Sequence, residues 1–315
     1  MSEHECPVIQ IKLEKHPGAD SLSLVRDTGF TIVVKTSEWK NGDLAICIHA
    51  DYVCPDTEQF KFLGNNKRIK PRRFCGIWSD GILIKAPEGL KEGDNAIDIL
   101  GIKRYDPEIK YSMDDENESG PSLFSPIYNI ENYKKYKNIF SLDDEIVVHE
   151  KIHGCNSRWV YHNGRMWCGS HRNWKKYNEN NLWWKALKLN KWVEKWCIDN
   201  ENKILYSECY GQVQDLKYGT SKNELKIVIF DILYNKEYLN YDESREIGKD
   251  LLWCPELYRG NINENEFYKL SNGDSSINGA NHMREGIVIK TTKEKYNNRT
   301  GRTILKLVSS RYLSS

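Results

Sequence analysis

Four charged side chains stand where charge is costly. Lys151 follows the β-branched run that starts at Ile146 and precedes Gly154 by three residues. Glu208 closes the strand-like Ile204-Leu-Tyr-Ser and comes just before a turn at Gly211. Glu285 directly precedes Gly286 and the run Ile-Val-Ile, and Lys306 lies inside Ile304-Leu-Lys-Leu-Val308. A charge in or beside an apolar strand costs desolvation unless it is paired. Each alone also reads as a solvated strand end. Together they are two amines and two carboxylates, an inventory that suits phosphoryl chemistry. One amine would be the nucleophile, the other a phosphate clamp, and the carboxylates would hold a divalent cation.

These residues need rigid elements to position them. The stretch 146–172 reads as strand, tight bend, strand, turn and strand, with Asn163-Gly164 as the favoured hairpin turn. Leu225–Leu233, which contains Phe230, is a dense apolar run and therefore a central strand. Residues 165–196 hold eight Lys or Arg against two acidic residues, with six tryptophans interleaved. From Leu182 the period becomes helical: Leu182, Ala186, Leu189, Val193 and Trp196 share one face. Lys188, Lys191 and Lys195 form a second stripe, either a polyanion-binding face or a merely soluble one.

The first hundred residues have a different texture. Short runs at Val8–Leu13, Leu22–Arg26, Phe30–Lys35, Leu44–His49, Gly81–Lys85 and Asn95–Leu100 alternate with turns such as His16-Pro-Gly-Ala-Asp20. They predict a small β-barrel, of oligonucleotide-binding (OB) or SH3-like type. Lys67, Arg68, Lys70, Arg72 and Arg73 place five positive charges within seven residues beside Phe74. Such a run suits a phosphate backbone or is simply a solvated loop. The expected division is a barrel over 1–105, an acidic linker over 106–125 and a second domain over 126–315, with a short helix expected to begin within Pro126–Tyr133 at its entry.

Composition limits the alternatives. With 315 residues, 29% charged and a net charge of +1, there is no global basic field, so any nucleic-acid surface must be local. Nine cysteines without a Cys-x-x-Cys pair argue against a zinc knuckle or disulfide framework. A reducing compartment, cytoplasmic or nuclear, is expected. The polar opening lacks a signal-peptide core, and no segment is apolar enough to span a membrane. Frequent Asn, Lys and Ile suggest an A·T-rich genome such as a virus carries.

The order Lys-x-x-Gly, Glu-x-x-Gly, apolar strand with Phe-Asp, Glu-Gly-Ile-Val-Ile and Leu-Lys-Leu-Val resembles the covalent nucleotidyltransferases. Within them, Glu150-Lys-Ile-His-Gly-Cys-Asn156 resembles the RNA ligases that seal nicks in duplex RNA. DNA ligases and capping enzymes usually carry Asp in place of His153 and Arg in place of Asn156. Only nine residues follow Lys306, so no C-terminal barrel is expected. The layout and His-Pro-Gly-Ala-Asp-Ser-Leu resemble the ATP-dependent RNA ligase branch with an N-terminal OB domain. The implied fold is α+β: an OB-like β-barrel, then an adenylyltransferase (ATP-grasp-like ligase) domain built on antiparallel sheets.

The resemblance also implies roles. Lys151 would attack the α-phosphorus of ATP and carry AMP, which then passes to an RNA 5′-phosphate before a 3′-hydroxyl closes the nick. Glu150, Ile152, His153, Asn156, Arg172, Glu208 and Phe230 would line the nucleotide site, with Glu150 and Phe230 against adenine and Glu208 on a ribose hydroxyl. Glu208 and Glu285 would hold Mg²⁺ or Mn²⁺, and Lys306 would meet the α-phosphate. A free lysine near pKa 10.4 is protonated at neutral pH, so partial burial and a second cation, Lys306, are expected to lower that of Lys151. The implied partner is duplex RNA with 5′-phosphate and 3′-hydroxyl ends, and the implied state is a monomer. A DNA ligase, or an inactive RNA-binding protein on a ligase-like frame, are the alternatives. Two positions depart from the usual pattern. His153 stands where relatives can carry Asp, and Ile304 where a second lysine is common, with Arg302 further back as a possible substitute.

Overall fold

The structure, a computed structural model, describes residues 5–27, 29–50, 52–105 and 117–315. The 106–116 part of the expected linker lies outside them. The chain divides into two compact units: Met1–Pro107 with Tyr133–Lys137 and Ser310–Ser315, and Glu108–Asn132 with Asn138–Ser309.

In the first unit, one sheet joins Val8–Gln10, Leu44–His49 and Gly81–Lys85, and another joins Glu14–Lys15, Leu22–Asp27 and Phe30–Lys35. All these ladders are antiparallel. Leu44–His49 is apolar almost throughout because both of its faces are covered. Ala45 and Cys47 enter one core with Val25, Ile32 and Trp39, while Ile46 and Ile48 enter another with Val8, Phe60 and Ile84. The strand expected at Asn95–Leu100 is instead a bridge followed by turns. The Asn95 side chain accepts from the Cys6 and Ile97 amides, and the second of these bonds bends the chain out of extension.

The second unit is two packed sheets. The larger runs Asn117–Glu118, Trp174–Lys175, Arg165–Ser170, Cys155–His162, Ile204–Gly211, Leu225–Tyr234 and Glu237–Tyr238. The smaller runs Glu131–Asn132, Ile304–Val308, Gly286–Thr291, Ile146–Lys151 and Glu256–Gly260. Tyr128, Val160, Tyr206, Leu233, Ile304 and Val288 pack together between them. The Asn163-Gly164 turn has positive φ at both residues, 51° and 77°, as a tight hairpin requires.

One expected helix is two. Leu182–Leu189 and Lys191–Asp199 are separated at Asn190, whose φ and ψ are −121° and 61°. Its side-chain amide donates to the Ala186 and Leu225 carbonyls, which competes with helix continuation. At the end of the first helix Leu187 is buried, whereas Leu189 is 55% exposed rather than in the core; Val193 and Trp196 of the second helix are buried as expected. Both helices cover the larger sheet, with Trp183, Ala186, Val193 and Trp196 against Trp159, Leu205 and Ile227.

Candidate active site

The Lys151 motif is a crossing between sheets. Ile146–Lys151 belongs to the smaller sheet and Cys155–His162 to the larger, so Ile152, His153 and Gly154 carry the chain across. Space forces the glycine: a Cβ at Gly154 would sit 2.1 Å from the Cys209 carbonyl oxygen. Gly286 is forced likewise, since a Cβ there would meet the Leu307 oxygen at 2.3 Å. These two close approaches bring the flanking charges together. Lys151 pairs in register with Gly286, so Glu285 ends beside it, and Asn156 pairs with Glu208.

Lys151 Nζ donates to Glu285 Oε2 at 2.6 Å, and His153 Nδ1 lies 3.5 Å from the same oxygen. Burial alone would lower the Lys151 amine, but the charges of Glu285 and then Glu208 outweigh it and hold it above its ordinary value. The expectation of a lowered value is therefore corrected for this state: the nearest charged neighbours are carboxylates. Glu285 shows the other half of the pair. Burial would raise it, yet Lys151, with His153 behind, holds its carboxyl at about 2. Glu208 receives less compensation. Burial pushes it up to about 8, with Lys151 opposing and Glu285 adding to the rise.

One ammonium thus serves two enclosed carboxylates. Among the described residues, Asn156 Oδ1 is also buried without a hydrogen-bond partner. A charge-poor carboxylate, its ionised neighbour and an orphaned amide oxygen are hard oxygen donors, so the residues fit a divalent cation such as Mg²⁺ or Mn²⁺.

The other expected residues fall around this core. Ile152 is buried against Tyr210, Tyr218, Val228 and Cys254, with Phe230 at the edge of that cluster. Phe230 is half-buried, the extra residue of a bulge in which Tyr206 and Ser207 face Asp231 and Ile229. Its ring meets that of Tyr128 at 4.7 Å. Lys306 is half-buried and opposite Val288. Arg172 is exposed just beyond Arg165–Ser170. It acts with Lys306 on one imidazole: burial lowers the His171 ring, a bond to the Tyr128 carbonyl opposes this, and Arg172, Arg158 and Lys306 lower it further. Glu150 is 1% exposed, its carboxylate accepting from Ser275 Oγ and the Ser276 amide at 2.6 Å each.

Arg302 does not replace the lysine missing at Ile304. Its guanidinium pairs with Asp231 at 2.8 Å and with Glu294 at 2.5 Å, while Ile304 is buried in the core between the sheets. Asp231 also holds Lys290 at 2.9 Å and the Tyr128 hydroxyl at 2.5 Å. This buried network braces Tyr128 against Phe230.

Sequence reasoning missed several supports. The Tyr218 hydroxyl accepts from the His153 amide at 2.7 Å, and Gln214 donates to the Gly154 carbonyl. Tyr218 has a φ of 53°, and the only hint was the glycine after it. The suggested RNA contacts divide by environment. Lys67 pairs with Asp56 at 2.9 Å and is mostly covered, and Arg68 stacks on Tyr105. Lys70 donates to the Ser315 carbonyl, whereas Arg72 and Arg73 are exposed on the short strand Arg72–Phe74. Lys188, Lys191 and Lys195 are exposed on two helices rather than one, Lys195 paired with Asp199 and Lys188 3.6 Å from Glu179.

A β-barrel unit followed by two facing sheets with a lysine–carboxylate crossing between them defines a class, and comparison with known proteins gives it a family. The RNA ligase family profile matches residues 144–308, more than half of the chain, and an OB-fold domain profile matches residues 7–85. The chain belongs to the RNA ligase family, with an OB-fold domain in front, and is a ligase. Among solved structures, a Naegleria gruberi RNA ligase variant with ATP and Mn is 21% identical, with a TM-score of 0.78 over 98% of this chain and 97% of that one. A variant with AMP and Mn is 22% identical, with a TM-score of 0.78 over 98% of each chain. The same ligase with PPi is 21% identical, with a TM-score of 0.76 over 99% of this chain and 98% of that one. No curated protein sequence matches. No helix among the described residues is long and apolar enough to cross a membrane.

Proposed function

We propose that this ligase joins RNA 5′-phosphate and 3′-hydroxyl ends at nicks in duplex RNA, using ATP and a lysyl-AMP intermediate, as a monomer in a reducing compartment. The carrying observation is the amine of Lys151, still a quarter exposed, at 2.6 Å from Glu285 in the crossing that also holds Glu208. The presence of ATP, PPi and AMP in the Naegleria structures supports this reading, since ATP is the substrate and PPi the leaving group of an adenylylation, and AMP the group it transfers and the last step releases.

In the first step the Lys151 nitrogen forms a bond to the α-phosphorus of ATP as the bond to pyrophosphate breaks. The amine, a quarter exposed, must first give its proton to solvent against the hold of Glu285. Asn156 and Glu208 offer hydrogen bonds to the ribose and phosphate side, and Phe230 offers a face to adenine. Lys306 balances negative charge on the α-phosphate. Glu285 and Glu208 would hold the divalent cation, which supplies further charge neutralisation to the phosphates when bound. The 5′-phosphate of RNA then displaces Lys151 from AMP, and the 3′-hydroxyl displaces AMP from the RNA-adenylate. Arg72, Arg73 and the lysines of the two helices offer the charge for RNA contact.

Incubation with α-labelled ATP and Mg²⁺ or Mn²⁺ leaves label on the wild-type chain and none on Lys151→Ala. A Lys151→Ala variant that still takes up label would overturn the assignment of the nucleophile. A panel of RNA and DNA nicks then tests the substrate, and equal sealing of DNA nicks would count against the RNA-specific reading.

A further inference from the structure

The first unit holds a second cluster of metal-ligating side chains, remote in sequence from the ligase motifs. Asp27, Cys47 and His49 place one carboxylate oxygen, one thiol sulfur and one imidazole nitrogen within 4.8 Å of one another. Cys47 and His49 are two apart on the strand Leu44–His49, so their side chains share a face. Asp27 ends Leu22–Asp27, a strand of the other sheet.

His49 Nε2 lies 3.0 Å from Asp27 Oδ2 and 3.1 Å from Cys47 Sγ, and the Cys47 thiol and the Asp27 carboxylate also hydrogen-bond to each other. A neutral ring nitrogen offers one hydrogen or one lone pair, so it cannot bond fully to both. The Phe30 ring stacks on the imidazole at 4.0 Å and fixes its plane. Cys47 is fully buried, whereas the His49 and Asp27 side chains keep 14% and 10% exposure, an open side for a further ligand. The neighbouring carboxylate, Asp80, is occupied by Lys134 at 2.7 Å and the Thr31 amide at 3.1 Å. Lys135 is paired with Glu5 at 2.7 Å.

We propose that Asp27, Cys47 and His49 bind a single divalent cation of borderline softness, of the Zn²⁺ class, which clips together the two sheets of the first unit. A thiolate, a carboxylate and a neutral imidazole carry a formal charge that offsets a divalent ion. Sulfur and imidazole select against Mg²⁺ and Ca²⁺. Tetrahedral zinc, with Zn–S about 2.3 Å and Zn–N about 2.0–2.1 Å, spaces such ligand atoms about 3.3–3.6 Å apart. The present contacts need to open by roughly half an ångström to reach that geometry. Binding forms a metal–sulfur bond and releases the thiol proton to solvent, with no change of oxidation state.

The test is Co²⁺ titration of the reduced, metal-free full chain, read by absorbance. One equivalent is expected to produce a sulfur-to-cobalt charge-transfer band that Zn²⁺ displaces at equal stoichiometry. Cys47→Ser and His49→Gln should abolish the band, and Asp27→Asn, which keeps thiol and imidazole, should weaken Co²⁺ binding at least tenfold. Circular dichroism checks that each variant is folded. Cys75→Ser, at the only exposed cysteine, and Glu285→Gln, in the ligase site, should leave the band intact. Absence of the band in the wild-type chain would overturn the proposal whatever the variants do, as would its survival in Cys47→Ser. Neither result bears on Lys151 adenylylation, which is measured separately.

Discussion

The pair Lys151–Glu285 is an amine stored in its unreactive form. Glu285 stabilises the ammonium at 2.6 Å, so the resting site favours the proton over the nucleophile. Glu285→Gln removes that charge and should lower the amine's pKa, so that more of it is free at a given pH. The measurement is the rate at which a small acylating reagent modifies Lys151, followed by mass spectrometry without ATP. Wild-type Lys151 should react more slowly than surface lysines at about pH 8, and the variant faster than wild type; equal rates would overturn the reading. Glu208 gives a second prediction, of the opposite charge type. Its carboxyl is raised to about 8, so its contribution to stability is fully present below its ordinary value and lost as pH rises through about 8. Glu208→Gln, neutral throughout, should melt roughly 2–5 °C above wild type at about pH 9, the figure discounted for partial exposure. It should match wild type at about pH 5. A variant that melts lower at both values would show that Glu208 is stabilised as an anion. The residues of this site were legible in the sequence because a charge in an apolar strand is conspicuous. Tyr218 and Gln214 were not, since they act through a hydroxyl and an amide that any loop can carry.

At the scale of elements, the crossing from one sheet to the other does the positioning, and Gly154 is its tightest point. A methyl group there meets a backbone oxygen at 2.1 Å, which neither strand can vacate without losing its ladder. Gly154→Ala should destabilise the second unit by about 3 kcal/mol or more, read by chemical denaturation with a probe in that unit. An effect below about 1 kcal/mol would mean that the crossing relaxes. The Lys-x-x-Gly spacing was visible from the start, but its cause was not: strand and hairpin looked continuous, and they belong to different sheets. The two helices teach the same lesson. A run of apolar residues at helical spacing predicted one helix through Leu189, yet Asn190 satisfies carbonyls with its own side chain and a second helix starts after it, with Val193 and Trp196 still on the core face. Local polar competition of this kind is weak in sequence and decisive once Leu225 supplies the other acceptor.

Across the whole molecule, a net charge of +1 means that RNA affinity rests on a few local cations. Several of the candidates already have acidic partners within the chain, whereas Arg72 and Arg73 are exposed side by side. Replacing both with Ala should reduce the slope of log affinity against log salt by about 1–2. Binding by filter retention or fluorescence anisotropy across a salt series measures it, and an unchanged slope would remove these residues from the interface. What could be read from the chain alone was the class of chemistry, the order of a barrel unit and a ligase unit built on antiparallel sheets, and the four charges in or beside apolar strands. Each of these is a matter of residue type and short-range periodicity. What the tertiary structure alone decided was how those charges meet: that Lys151 faces a carboxylate before any nucleotide, that Arg302 is committed to Asp231, and that Asp27 reaches Cys47 and His49. Such pairings depend on register between strands distant along the chain, where one step of slip sends a side chain to the opposite face.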